Sequence, residues 1–192
     1  MNKVLVMYYS ENGTTKKYAE WIAEGLNGDL YNIKNIKSDM LLNYDVLILG
    51  SPILAGAPKG SIKGMSIFTK NQNLIKDKKM VYYACGIEDM TKEIVQDGIK
   101  EYVKKAVPDE IFQKLKIFFL RGGFDHYKLS FLYRLAFWFA KKKIEKKPIE
   151  KITSDEKFVL DCYGKNLDFT NKESISSILE YCRWMALNPQ IL

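Results

Sequence analysis

Lys3 to Thr15 reads K-V-L-V-M-Y-Y-S-E-N-G-T-T, and the fold is decided there. Lys3 to Tyr9 is a nearly continuous apolar run. A strand covered on both faces has this pattern, because no residue needs to meet water and the polar alternation of a half-exposed strand is lost. The polar loop Ser10-Glu11-Asn12-Gly13-Thr14-Thr15 follows at once. From Thr14 to Leu26 the residues Tyr18, Trp21, Ile22, Gly25 and Leu26 then recur at helical spacing, and Asn27-Gly28 stops the run. Buried strand, tight loop and helix together open a parallel α/β unit.

The same alternation extends outward along the chain. Leu30–Ile33 reads as a short second strand and Asp45–Gly50 (D-V-L-I-L-G) as a third. Ile62–Ile75 reads as a helix broken at Gly64. Lys79–Cys85 (K-M-V-Y-Y-A-C) gives a fourth strand, Lys92–Val107 a helix closed by Pro108, and Lys116–Leu120 a fifth strand. Thr170–Glu173 (T-N-K-E) has the spacing of a capping box ahead of a last helix carrying Ile175, Ile178, Leu179, Trp184 and Met185. The pattern predicts a doubly wound α/β fold, a five-stranded parallel sheet with helices on both faces. At 192 residues the expectation is a single domain over 1–192, interrupted by an insertion at about 121–154 where the alternation fails.

Composition narrows the function. With 47% hydrophobic and 28% charged residues and five prolines, the chain can build a packed core and is not a disordered one. Three cysteines and one histidine supply neither a disulfide scaffold nor a histidine-rich metal centre, so no metal is expected. No secretory leader is evident. The longest apolar stretch, Leu129–Ala140, contains Ser130 and Arg134 and falls short of the roughly 20 residues a spanning helix needs. A cytoplasmic protein is expected, or one held peripherally at the inner face of the membrane. The net charge of +7 is concentrated: Lys116–Lys151 holds ten Lys or Arg against three Asp or Glu, and the rest of the chain balances. Such a segment either meets something negative or is simply a solvated lysine-rich helix end.

Open α/β sheets bind ligands beyond the carboxyl ends of their strands, where the strand order reverses. The loop Ser10–Thr15 offers hydroxyls and backbone N–H groups at a helix start, which suits a phosphate, and Gly13 permits close approach. It has neither the G-K-[ST] of a nucleotide-triphosphate loop nor G-x-G-x-x-G. Read locally, the same residues make an ordinary capped helix start.

The S-x-N-G-T-T loop after the first strand resembles the phosphate loop of flavodoxin-like FMN proteins, T/S-x-T-G-x-T. The resemblance implies that Ser10, Asn12, Gly13, Thr14 and Thr15 hold the FMN phosphate. Gly50-Ser51-Pro52-Ile53-Leu54-Ala55-Gly56 is similar to the G-S-P-I/T-x-x-G loop along the flavin ring, which implies contacts from Ser51, Pro52, Ile53, Leu54, Ala55 and Gly56. Cys85, Gly86 and Ile87 stand where the family has its other ring-flanking loop. Classical flavodoxins place aromatic residues in these loops and are strongly acidic, whereas this chain has Leu54 and Ile87 and is basic. An unstacked ring face leaves room for another molecule.

After the fifth strand, Arg121-Gly122-Gly123-Phe124-Asp125-His126-Tyr127 leads into K-L-S-F-L-Y-R-L-A-F-W-F-A-K-K-K-I-E-K-K. A helix here is apolar nearly all round and needs cover from its own core, a partner or a bilayer interface suited to Lys141, Lys142, Lys143, Lys146 and Lys147. No nucleic-acid motif accompanies it, so no nucleic-acid partner is expected. This insertion is similar in pattern to the menaquinone-dependent protoporphyrinogen oxidase family. That likeness implies an FMN-dependent oxidoreductase passing electrons from a donor, such as a tetrapyrrole, to a quinone, with peripheral membrane contact through 128–147. The alternative is an electron carrier that docks a redox protein. Arg121 at the sheet edge is a candidate for binding substrate carboxylates or a quinone carbonyl, and His126 a candidate proton shuttle, each balanced by a bland surface or loop role. Cys85 reads as a small buried thiol, and Tyr8, Tyr9, Tyr82 and Tyr83 read mostly as core.

Overall fold

The computed structural model describes residues 3–11, 13–53 and 64–188. They form two compact units, one of 1–122 and 170–192, the other Gly123–Phe169.

In the first unit β1 (Val4–Tyr8) leads through Ser10–Gly13 into α1 (Thr14–Leu26), which ends on Asn27 at φ 50°. Next come β2 (Asp29–Asn32), β3 (Val46–Ile53), the short helices α2 (Ser66–Lys70) and α3 (Gln72–Ile75), and β4 (Lys79–Gly86). α4 (Glu93–Ala106), α5 (Asp109–Lys114) and β5 (Leu115–Arg121) complete the run before the second unit. All sheet pairings are parallel in the order β2-β1-β3-β4-β5, so the doubly wound five-stranded sheet is present as expected. The order reverses between β1 and β3, the switch point beyond whose carboxyl ends such sheets bind ligands. The apolar runs have the cover they call for. Leu5, Met7, Leu47, Leu49, Tyr82 and Ala84 pack on one face with Phe68, Ile99 and Val103, while Val6, Ile48, Val81 and Tyr83 pack on the other with Tyr18, Ile22 and Ile178.

Three differences from the sequence reading have local causes. β3 runs on to Ile53 and β4 to Gly86, so Ser51, Pro52, Ile53, Cys85 and Gly86 are strand residues paired Ser51↔Ala84, Pro52↔Cys85 and Ile53↔Gly86. Pro52 is tolerated in this interior strand because β1 pairing has already stopped at Gly50, whose carbonyl accepts from Tyr9 N–H at 2.9 Å. Pro52 points its missing donor to that same side. The described part of the helix expected at 62–75 is two short helices, α2 and α3, divided at Asn71. Its side-chain amide turns back to donate to the Ile67 carbonyl at 2.7 Å. Before the last helix the cap is Asn171, whose side chain accepts from Glu173 N–H at 3.0 Å, while Thr170 Oγ1 accepts from Lys17 Nζ at 2.7 Å.

The second unit has β6 (Gly123–Asp125), α6 (Phe131–Ile144), α7 (Ser154–Cys162) and β7 (Asn166–Asp168), with β6 and β7 antiparallel. Thr153 and Glu156 form a reciprocal capping box at α7. Its centre is aromatic: the His126 ring lies 4.7 Å from Tyr163 and 6.1 Å from Phe137, and Phe137 stacks on Phe124 at 5.4 Å. The chain then returns to the first unit and ends in α8 (Ser176–Leu187), packed on α1.

One side chain joins the two stretches of the first unit between which the second is inserted. The Tyr18 hydroxyl donates to the Arg121 carbonyl at 2.7 Å and accepts from Asn171 N–H at 3.1 Å. The main chain therefore leaves the first unit and rejoins it within reach of a single phenol.

Candidate functional site

The site is built around the start of α1. Gly13 occupies the N-cap position at φ 93°, a left-handed conformation that suits glycine, and an added Cβ there would meet no atom within 4 Å. Its N–H donates to Ser10 Oγ at 3.1 Å, which closes the loop. Among the described residues no side chain caps α1, and no acidic residue stands in its first turn. The first-turn N–H groups and the positive end of a 13-residue helix therefore face outward without a built-in anion. Glu11, the one carboxylate of the loop, accepts from the Tyr9 hydroxyl at 3.0 Å.

Tyr83 positions this helix start from below. A Cβ on Gly50 would fall 1.9 Å from Tyr83 Cζ, so the ring occupies the space that glycine leaves, and its hydroxyl donates to the Thr15 carbonyl at 2.9 Å. Burial pushes the Tyr83 phenol well above its usual range, which keeps it a neutral donor. Tyr82 is raised for the same reason, against the opposing effect of its bond to Ser51. Ser51 Oγ and Tyr82 OH are 2.7 Å apart in the core, so the Ser51 hydroxyl is spent inside the protein.

The third loop is tied to both neighbours. Thr14 Oγ1 lies 3.6 Å from the buried Cys85 Sγ. Gly122 N–H donates to the Gly86 carbonyl at 2.6 Å, and a Cβ on Gly122 would come 2.7 Å from Cys85 Sγ and 3.1 Å from Thr14 Oγ1. The starts and ends of α1, β4 and β5 meet here with no room for another methyl group. Arg121 Nε donates to the Ile87 carbonyl at 3.4 Å. The hydrogen bonds from Thr91, helped by the nearby Lys92 and Arg121 cations, hold the Asp89 carboxyl below its usual range. Beside these strand ends is a cavity of about 280 Å³ lined by Ile53, Gly86, Ile87, Glu88, Ile94 and Tyr102, among others.

Ser10, Gly13, Thr14, Thr15, Cys85 and Gly86 thus surround the carboxyl ends of β1 and β4, with Ser51, Pro52 and Ile53 in the adjacent strand. Asn12, Leu54, Ala55 and Gly56 lie outside the described residues. His126 belongs to the second unit and is buried in its aromatic centre, where Nδ1 has no hydrogen-bond partner among the described residues. Tyr18, Tyr83 and Gly122 were not legible as site residues. In sequence a strand tyrosine looks like core, and only the cross-sheet distance shows what its hydroxyl reaches.

The flavodoxin-domain family model matches residues 5–151, and the chain belongs to that family. Its cofactor is FMN. The chain is 41% identical over 61 residues to the uncharacterized protein MJ0298 of Methanocaldococcus jannaschii, a match covering 31% of this chain and 41% of that one. Among solved structures it is similar to the two-electron reduced flavodoxin of Megasphaera elsdenii (18% identity, 60% of this chain, 82% of the other, TM-score 0.44). It is also similar to a flavodoxin from the domain Archaea (15% identity, 94% and 99%, TM-score 0.40).

The residues present fit that cofactor. A helix start whose donors are aimed outward, with a glycine at φ 93° and the loop's one carboxylate bonded to a tyrosine, is chemistry for a phosphate monoester. The apolar cavity wall of Ile53, Ile87 and Ile94 suits a flat ring.

Proposed function

We propose that the chain is an FMN-dependent oxidoreductase that moves electrons from a donor, tetrapyrroles included, to a quinone or other acceptor. The observation that carries the FMN part is the helix start at Gly13, open and unacidic at the point where strand order reverses. In this reading Ser10, Asn12, Gly13, Thr14 and Thr15 hold the phosphate, Ser51–Gly56 and Cys85–Ile87 flank the ring, and Tyr83 fixes the height of the first loop through Thr15. Bound FMN supplies the redox chemistry, accepting and returning electrons singly or in pairs. The protein orients it, and the N–H groups of the second and third loops favour the reduced ring. Arg121 braces the third loop through the Ile87 carbonyl, and by its charge it also favours an anionic substrate.

The oxidoreductase reading rests on the insertion. An acceptor dissolved in lipid calls for a protein that works at the inner face of the membrane, and residues 128–147 are the stretch we assign to that contact. No helix among the described residues is long and apolar enough to cross a membrane. A second reading, an electron carrier for a protein partner, is favoured by the exposed Glu88 and Ile94 at the cavity rim, a surface another protein could cover.

The first test is the visible spectrum of the purified protein and identification of what it releases on denaturation. A yellow protein releasing FMN is expected, and a colourless protein that takes up no added FMN overturns both readings. Steady-state reduction of a naphthoquinone by the reduced holoprotein separates them: turnover supports the oxidoreductase, and its absence with every donor, tetrapyrroles included, leaves the carrier.

A further inference from the structure

In the second unit, α6 turns most of its apolar side chains outward. Phe137 faces inward to Phe124 and His126, and Ile144, about two turns on, is buried. The opposite stripe carries Leu132, Leu135 and Phe139 at helical spacing, flanked by Phe131 and Trp138. Leu132 stays 74% exposed, Phe131 69% and Phe139 59%. The same stripe continues into Lys142 and Lys143, and Lys146 follows in the turn after the helix, all three exposed. A helix that served as core would bury these side chains, so the solvated lysine end is only half of the feature.

We infer that this stripe of α6 is a docking face for an anionic lipid surface. Leu132, Leu135, Trp138 and Phe139 enter the interfacial zone, and Lys142, Lys143 and Lys146 sit among the negative headgroups. Two features select lipid over protein. First, the apolar and cationic halves follow one another along a single stripe, so an inclined helix puts hydrocarbon and headgroup contacts at different depths. Second, the charge is of one sign: Arg134, Lys141, Lys142 and Lys143 lie on α6 with no acidic residue between Phe131 and Ile144, and Glu145, which pairs with Lys141 and Lys142, comes only after them. The aromatic residues suit an interface with one apolar and one wet side.

The inference rests on the reading that the electron acceptor is membrane-borne, and it names the surface on which that acceptor is met. Its test needs no redox chemistry. The holoprotein is sedimented with vesicles of phosphatidylcholine alone and of phosphatidylcholine mixed with phosphatidylglycerol, at low and high salt, while tryptophan emission is followed. Expected are binding to the mixed vesicles, release by salt and a blue shift that Trp138→Phe removes. The triple change Lys142→Gln, Lys143→Gln and Lys146→Gln should weaken binding about 100-fold, since each charge near such a surface contributes about one factor of five. Leu135→Ser with Phe139→Ser should weaken it by about tenfold or more and abolish the blue shift. All these side chains are exposed, so circular dichroism should be unchanged, as should FMN content. No association with mixed vesicles overturns the inference, as does association that neither set of changes weakens, or a dimer in light scattering that the Leu135 and Phe139 changes dissolve while lipid is ignored. Vesicle binding without quinone turnover would leave the docking face standing and remove the quinone reading; turnover of a water-soluble quinone without vesicle binding would do the reverse.

Discussion

At the residue scale the determining groups are small or hidden. Gly13 sits at φ 93°, and among the described residues an added Cβ would meet no atom within 4 Å, so Gly13→Ala tests the backbone conformation. The left-handed conformation costs an alanine about 1–2 kcal/mol. Stability in urea should fall by about 1 kcal/mol and FMN affinity, read from quenching of its fluorescence, by roughly tenfold. An unchanged affinity would mean that this loop does not hold the phosphate. Tyr83→Phe removes one buried donor from the Thr15 carbonyl and should cost about 1 kcal/mol, with a weaker hold on FMN as its second readout. Cys182 adds a pH dependence. Burial raises its thiol from 9.0 to about 12, so the folded state favours the protonated form. Its contribution is whole below about pH 9 and is lost as pH rises toward 12. Tyr44, raised from 10.0 to about 12 by burial and by its bond to Asp29, acts in the same direction. Urea midpoints measured from neutral to alkaline pH should decline over this range, and Cys182→Ala should make the decline shallower.

At the element scale, β3 and β4 are matched by shape as well as by register. Gly50 and Tyr83 are partners in the ladder, and the ring lies across the glycine. Gly50→Ala drives a methyl group to 1.9 Å from Tyr83 Cζ, and a ring fixed at its hydroxyl end has little freedom to yield. A loss of about 2–3 kcal/mol is expected, as for an overpacked core. Combining it with Tyr83→Leu should cost less than the two single changes together, because the clash is shared. Urea unfolding of the three variants checks this, and additivity would show that the two residues are independent. The strand pattern was legible because continuous apolar runs admit few other readings. The extensions Ser51–Ile53 and Cys85–Gly86 were not. Whether a strand end is ladder or loop depends on which neighbour still pairs with it, and Pro52 survives only because β1 has already ended.

At the scale of the whole molecule, the Tyr18 hydroxyl bonds to Arg121 and Asn171 together, so the two points of the first unit between which residues 123–169 are inserted are joined by one phenol. That arrangement predicts removability. With Gly123–Phe169 replaced by a short glycine linker, the remaining chain should fold, keep the β2-β1-β3-β4-β5 sheet and bind FMN, because no strand of that sheet and no residue of the first loop is lost. Circular dichroism and FMN titration measure this, and the shortened protein should no longer sediment with anionic vesicles. A shortened chain that fails to fold would show that the second unit is needed for the core.

The sequence by itself determined the doubly wound parallel sheet and the glycine and hydroxyl loop between its first strand and first helix. Each of these depends on local pattern: apolar runs that must be covered on both faces, and glycine and hydroxyl residues at a helix start. It also marked 121–154 as the stretch that breaks the pattern, and located the charge there. Only the tertiary structure decided what Tyr18 and Tyr83 do, because their partners stand 103 and 68 residues away in sequence. Only the tertiary structure decided which side of α6 meets water. A helix apolar nearly all round carries no periodicity to point one face inward, and Phe137 turns in because Phe124 and His126 wait there.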